Sequence, residues 1–303
     1  MTGPGEDGSV PVRSTDPPGR GARSEHSTRT TRFAWGAVVV ILIAVVALVL
    51  YALAGTPASS GVVHRSPASS AVMTELGTVP TSVFDAVGIR STTPLVVPTV
   101  LSHQPPLAAG GRPDVLFVGA EYCPFCAAER WPLIVALSRF GRFTALDNMQ
   151  SAPQSVFPAL QSFTFVGTAY TSRYVSFTGL ELYSDSVDGD GVFTRIATLD
   201  PDQAALLDRY DDGVPSGPGS IPFVDIDNTM VTSTSGFSPA TLVGHPQAAI
   251  AGSLTETGAP IGQAIVASAN YLTAGICRAT GQQPPGVCDS RGVRSADAAL
   301  GPG

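Results

Sequence analysis

Hydrophobic positions divide this chain into three regimes. Residues 1–32 hold few apolar side chains, Phe33–Leu53 is an uncharged and mostly aliphatic run, and the rest alternates short apolar pieces with Gly, Pro and polar breaks. The middle run is 21 residues long. At about 1.5 Å per residue it reaches roughly 30 Å, the hydrocarbon depth of a bilayer. It predicts a transmembrane helix over 33–54. The Gly-, Pro-, Ser-, Thr- and Arg-rich stretch 1–32 predicts a disordered tail. Residues 55–110 predict a linker and lead-in, Ala/Ser/Pro-rich to residue 70 and mostly extended after it, with one short helix near Ser82–Val87.

From residue 111 to 288 the pattern predicts a compact α/β domain. Asp114–Gly119 reads as a buried strand. Cys123–Phe140 reads as a helix, with Pro132 inside it as a kink. Arg142–Leu146 reads as the next strand. Residues 151–170 carry Phe157, Leu160, Phe163 and Phe165 without a clear period. Arg173–Phe177, Leu180–Tyr183 and Val192–Ala197 are strand candidates, with a turn at Asp185–Gly191. Pro201–Tyr210 suits a helix capped by Asp200. Pro222 opens a strand, Phe223–Asp227, which Asp227-Asn228 turns into Met230–Ser233. The remaining segments read as helical through Ile261–Ala279, and 289–303 reads as a flexible polar tail.

Charge gives the chain an orientation. Arg13, Arg20, Arg23, Arg29 and Arg32 precede the apolar run, and no arginine follows it until Arg65. The positive-inside rule then places residues 1–32 in the cytoplasm and the domain outside, at the cell membrane. A cleaved signal peptide ending near Ala52-Leu53-Ala54 is the alternative, but the run and its leader are long for one. Both readings export all four cysteines to a compartment where disulfides persist. The net charge is −7, and every one of the 17 cationic residues is arginine. With no basic stripe, nothing points to nucleic acid.

The chemistry concentrates in Cys123-Pro-Phe-Cys126. The pair sits between an apolar strand and a helix start, where free backbone N–H groups and the helix dipole favour a thiolate. Pro124 fits the first helical turn. Cys123 is the candidate attacking thiol and Cys126 the resolving one. A static disulfide and a metal site are the other readings of such a pair. His64, His103 and His245 lack ligand spacing, so no metal and no cofactor is expected. Glu121 and Glu129 flank the motif and can assist proton transfer, although each is by default a solvated acid. Arg130 can favour a thiolate or point to water. Tyr122 precedes the pair, and Phe125 and Trp131 supply packing or an apolar rim. Cys277 and Cys288 are separated by a turn-rich spacer and read as a structural disulfide, with a second redox pair as the alternative. Asp188-Gly-Asp-Gly191 fails the calcium-loop pattern at Val192 and reads as a turn.

Together these features resemble the thioredoxin superfamily: a strand, a Cys-Pro-Phe-Cys helix start, a proline inside that helix, and much later Ile221-Pro222 opening a strand. The resemblance covers roughly residues 111–280. It implies a thioredoxin-like fold with an insertion near 150–215, and a cis-proline at Pro222 whose loop, with Ile221, holds the substrate chain. Two positions depart from that pattern. Tyr122 stands where many thioredoxins have Trp, and Phe117 stands where thioredoxin reductants keep a buried acid. Ala120-Glu-Tyr-Cys-Pro-Phe-Cys-Ala-Ala-Glu-Arg-Trp-Pro132 and Ala269–Cys277 further resemble an exported, membrane-anchored family of actinobacteria and archaea, the domain of unknown function DUF929.

The expected function is a membrane-anchored, extracytoplasmic thiol–disulfide oxidoreductase of the DsbA-like kind. Its expected partners are thiols and disulfides of exported proteins and a membrane redox partner. The alternative is a non-catalytic thioredoxin-like binding or assembly module of the cell envelope with structural disulfides. The direction of electron flow is open at this level.

Overall fold

The computed structural model describes residues 65–210 and 220–303. The expected tail 1–32, the expected anchor 33–54 and positions 55–64 of the expected linker, His64 among them, lie outside the described residues. No helix among the described residues is long and apolar enough to cross a membrane.

The described chain is a mixed α/β domain. It begins with β1 (Ser66–Pro67), α1 (Ser70–Gly77), α2 (Thr81–Val87), β2 (Thr99–Val100), β3 (Ala108–Ala109) and β4 (Arg112–Gly119). Next come α3 (Pro124–Leu137), the long strands β5 (Gly141–Gln150) and β6 (Gln161–Ser172), then β7 (Ser176–Glu181), β8 (Tyr183–Val187), β9 (Phe193–Arg195) and α4 (Pro201–Tyr210). After residue 219 follow β10 (Phe223–Ile226), β11 (Met230–Thr232), α5 (Gln247–Ser253), α6 (Pro260–Ala279), α7 (Pro285–Cys288) and α8 (Arg291–Leu300).

β4 is the hub. It pairs antiparallel with β10, Val118 opposite Phe223, and parallel with β7, Gly119 opposite Glu181. A parallel neighbour needs a crossover, and α3 with the β5–β6 hairpin supplies it. β11 and β2 extend the sheet beyond β10. Side chains alternate across a strand, so Val115 and Phe117 of β4 join Val224 and Ile226 in the main core, with α3 and α6. Leu116 and Val118 face the other way, with Phe223, Val231 and Leu206 and Leu207 of α4. Both faces of β4 are therefore covered, which is why its residues read as a continuous apolar run. Each such fully buried side chain stabilises the fold by roughly 1.5–3 kcal/mol. Gly275 of α6 lets the helix approach the sheet: a Cβ there would stand 2.5 Å from Met230 Cε and 3.1 Å from Ile226 Cδ1.

Several expected elements stand as read. Pro201–Tyr210 is helical, and Asp200 and Gln203 exchange side-chain-to-backbone bonds of 2.9 Å across its start. Asp227 and Asn228 both take positive φ in the β10–β11 turn, the conformation Asn and Asp tolerate best. Asp188 Oδ1 accepts the Asp190 and Val192 amides at 3.0 Å, so Asp188–Gly191 is a turn.

Others need correction. The stretch without a clear period contains most of β6, whose pairing with β5 is broken by register shifts between Phe143 and Ala145 and between Ala145 and Asp147. The expected strands 173–177 and 180–183 are instead β7, from Ser176, and the start of β8. The lead-in 65–110 is not a linker. α1 and α2 bury Val72, Leu76, Val83, Phe84 and Val87 in the main core, and Asn270 Nδ2 donates to the Phe84 and Gly88 carbonyls at 3.0 and 2.8 Å. The flexible tail expected at 289–303 is helix α8, which buries Gly292, Val293 and Ala296. Its small face meets α2 closely, and the Gly292 amide donates to Asp85 Oδ1 at 2.8 Å.

Candidate dithiol site

Strand β4 ends at Gly119, and a three-residue turn leads to Cys123, which caps α3. Its backbone is extended (φ −78°, ψ 122°), its amide donates to the Ala120 carbonyl at 3.2 Å, and its sulfur accepts the Cys126 amide at 3.2 Å. A cap of this kind satisfies one of the free N–H groups that a helix start leaves. Cys126 lies in the first turn, fully buried, while Cys123 is 6% exposed. Both are free thiols.

The two sulfurs are electrostatically unequal. The Cys123 thiol is held below its ordinary pKa by a hydrogen bond from the Cys126 side chain, by the amides of Cys126 and Phe125 and by the Arg130 charge, all acting against burial. Burial pushes Cys126 well above its ordinary value, and its bond to Cys123 adds to that. Cys123 is thus the thiolate former and Cys126 the proton holder. An attacking thiolate beside a resolving thiol is what exchange with another disulfide requires.

The β4–β10 register brings the second half of the site. Pro222 immediately precedes Phe223, whose partner is Val118. The Ile221–Pro222 bond is cis, as the superfamily resemblance implies. In its thiol form Cys123 donates to the Ile221 carbonyl at 3.8 Å. Ile221 is half-buried and Pro222 buried.

Aromatic side chains flank the pair. Tyr122 stacks on Phe193 of β9 at 4.1 Å, and its carbonyl accepts the Ala152 amide at 2.9 Å. Phe125 meets Phe157 edge-on at 5.9 Å. Next to these anchors, Val156 and Val192 are 77% and 58% exposed. Trp131 is fully buried against Phe163 and donates to the Gln161 carbonyl at 3.0 Å, so it packs the core rather than a rim.

The acids around the motif are not solvated. Glu121 is fully buried and accepts from Arg65 at 2.9 and 3.1 Å. Glu129 is buried, and burial lifts its carboxyl to about 8, although Oε2 accepts the Gly236 amide at 2.7 Å. That bond engages Glu129 with the Gly236 backbone. Arg130 does not point to water either. Its Nε and Nη2 donate to Glu181 at 2.9 and 2.6 Å, and Nη2 also donates to the Ala120 carbonyl at 2.9 Å, with both side chains of the pair at zero exposure. Sequence reasoning missed Glu181, Arg65, Phe157 and Phe193. Glu181 alone left a signal, as a single acid inside the apolar run Leu180–Tyr183.

Cys277 and Cys288 are bonded to each other and buried, joining the end of α6 to α7. Among the described residues, no group of three or more His, Cys, Asp or Glu side chains is placed to hold a metal ion.

Residues 99–190 match the family model of the domain of unknown function DUF929. This segment holds β4, both thiols, Arg130 and Glu181. The likeness carried by Ala120–Pro132 is therefore shown, while Ala269–Cys277 lies beyond the matched residues. No curated protein and no solved structure matches the chain.

Proposed function

We propose that this protein is a thioredoxin-like thiol–disulfide oxidoreductase, anchored in the membrane by residues 33–54 and acting on exported proteins. The observation that carries the reading is the unequal pair itself: a helix-capping Cys123 with a lowered pKa, a buried Cys126 with a raised one, and the Ile221–Pro222 backbone beside them.

Each half of the exchange uses one property of the site. With the pair oxidised, a substrate thiolate attacks Cys123 Sγ. The Cys123–Cys126 bond breaks, and Cys126 takes up the electron pair and a proton. A second substrate thiolate then attacks the substrate sulfur of the mixed disulfide. Cys123 leaves as a thiolate, the substrate dithiol has lost two electrons and two protons, and the pair is reduced, with one proton on Cys126 and the other released to water. A low pKa makes Cys123 a good leaving group, which favours this disulfide-donating direction. Reduction of a substrate disulfide runs through the same mixed disulfide in reverse. Phe117, buried where thioredoxin reductants keep an acid, agrees with the donating direction. Tyr122 and Phe125 pair with Phe193 and Phe157, whose chain neighbours Val192 and Val156 are exposed, and exposed apolar side chains of this kind suit contact with an extended substrate chain.

Replacing Cys126 with Ser removes the resolving thiol. The C126S protein is expected to accumulate disulfide-linked adducts through Cys123 in its own cell envelope, and C123S/C126S to lose them. Absence of any reducible adduct from C126S would contradict the reading.

A further inference from the structure

Arg130 and Glu181 form a pair that the exchange steps above do not use. Both side chains are excluded from water, and such a pair recovers little of the desolvation cost of its two charges. Hydrophobic residues of similar volume generally stabilise a core at least as well. The pair is nonetheless fully engaged. Arg130 reaches both Glu181 oxygens, the Ala120 carbonyl and, at 3.5 Å, Met149 Sδ, and its guanidinium lies 5.4 Å from the Phe117 ring centre. Glu181 Oε1 also accepts the Phe165 amide at 3.2 Å.

The connection to the thiols runs through Ala120. Its carbonyl accepts both Arg130 Nη2 and the Cys123 amide. One carbonyl thus ties the guanidinium to Cys123, the residue that caps α3. Glu181 reaches the spot because β7 runs parallel to β4, which sets it opposite Gly119, the residue before Ala120.

We propose that Glu181 and Arg130 are positioning residues of the dithiol, Glu181 fixing the guanidinium and the guanidinium fixing the Ala120 turn and presenting its charge to both sulfurs. This rests on the thiol-exchange reading, and it adds which residues set the balance between the two thiols.

The test is the pH profile of iodoacetamide alkylation of Cys123 in the full chain. R130M/E181Q removes both charges together, so neither is left buried and unpaired. It should raise the half-alkylation pH by about one unit, which is tenfold less thiolate at a fixed pH below the midpoint. Glu181→Gln alone keeps the guanidinium and cancels its counter-charge, so it should move the midpoint the opposite way. A wild-type midpoint in R130M/E181Q, or an unmoved or raised midpoint in Glu181→Gln, overturns the proposal while the exchange reading stands. A wild-type Cys123 that titrates like free cysteine overturns the exchange reading instead. A merely structural pair would lower the melting temperature and leave the midpoint in place.

Discussion

The Cys123 sulfur lies 3.8 Å from the carbonyl oxygen of Ile221, 98 positions later in the chain. This contact follows from strand pairing. β4 delivers Cys123 at its carboxyl end, β10 begins just after Pro222, and their antiparallel register sets the two ends side by side. The dithiol and its proline loop therefore share one sheet, and a disturbance of β4 reaches both.

Gly119 is the point where that disturbance is easiest to make. A Cβ at this position would stand 2.6 Å from the Phe117 ring and 3.3 Å from the Cys126 sulfur. Gly119→Ala is expected to destabilise the domain by about 1–3 kcal/mol through overpacking, read as a lower urea midpoint. It should also change the alkylation rate of the dithiol, because Cys126 must shift.

The lowered pKa of Cys123 has a direct readout. Its half-alkylation in the reduced wild-type protein is expected below the free-cysteine value of about 8.5, with Cys126 unreactive across the same range. A Cys123 midpoint at or above that value contradicts the thiolate assignment.

Glu129 sets a pH dependence of stability. Its folded value of about 8 stands above the unfolded carboxylate value near 4.5, so the native state binds the proton more tightly. The stabilisation is full below about 4.5 and is lost as pH rises through 8. Asp225 and Asp227, lifted by burial to about 6, act with the same sign but finish their change at lower pH. In a C123S/C126S background, where the thiols are silent, stability is expected to fall by up to roughly 3 kcal/mol between pH 6 and 9. Glu129→Gln should flatten that slope, as urea midpoints at the two pH values will show.

The Cys277–Cys288 bond spans 11 positions and joins the end of α6 to α7. C277A/C288A is expected to cost about 2–3 kcal/mol on the chain-entropy account, read by urea unfolding, and to leave the Cys123 alkylation profile unchanged. A profile that moves with this disulfide would favour the reading of Cys277 and Cys288 as a second redox pair.

The local parts of this molecule were legible in its residues, and the distant pairings were not. Cys123, Pro124, the Asp200 cap and the Asp227-Asn228 turn each announce their conformation within a few positions, and the cis bond at Pro222 follows from the superfamily resemblance. Burial of Glu121 and Arg130 depends on Arg65 and Glu181, which lie 56 and 51 positions away. No local pattern carries that information. Helix α8 is not legible in the sequence because its buried face is built from Gly292, Val293 and Ala296, too small to register as an apolar stripe. β6 was obscured by the register shifts along the hairpin, which break the alternation that marks a half-buried strand.

The account stands most directly on the reduction potential of the Cys123–Cys126 pair, measured by equilibration against glutathione buffers with the Cys277–Cys288 bond intact. An exchange-active dithiol predicts a value above about −300 mV, in the range of disulfide oxidoreductases. A value below about −300 mV, where structural disulfides lie, would contradict it and favour a binding module with a permanent bond at Cys123–Cys126.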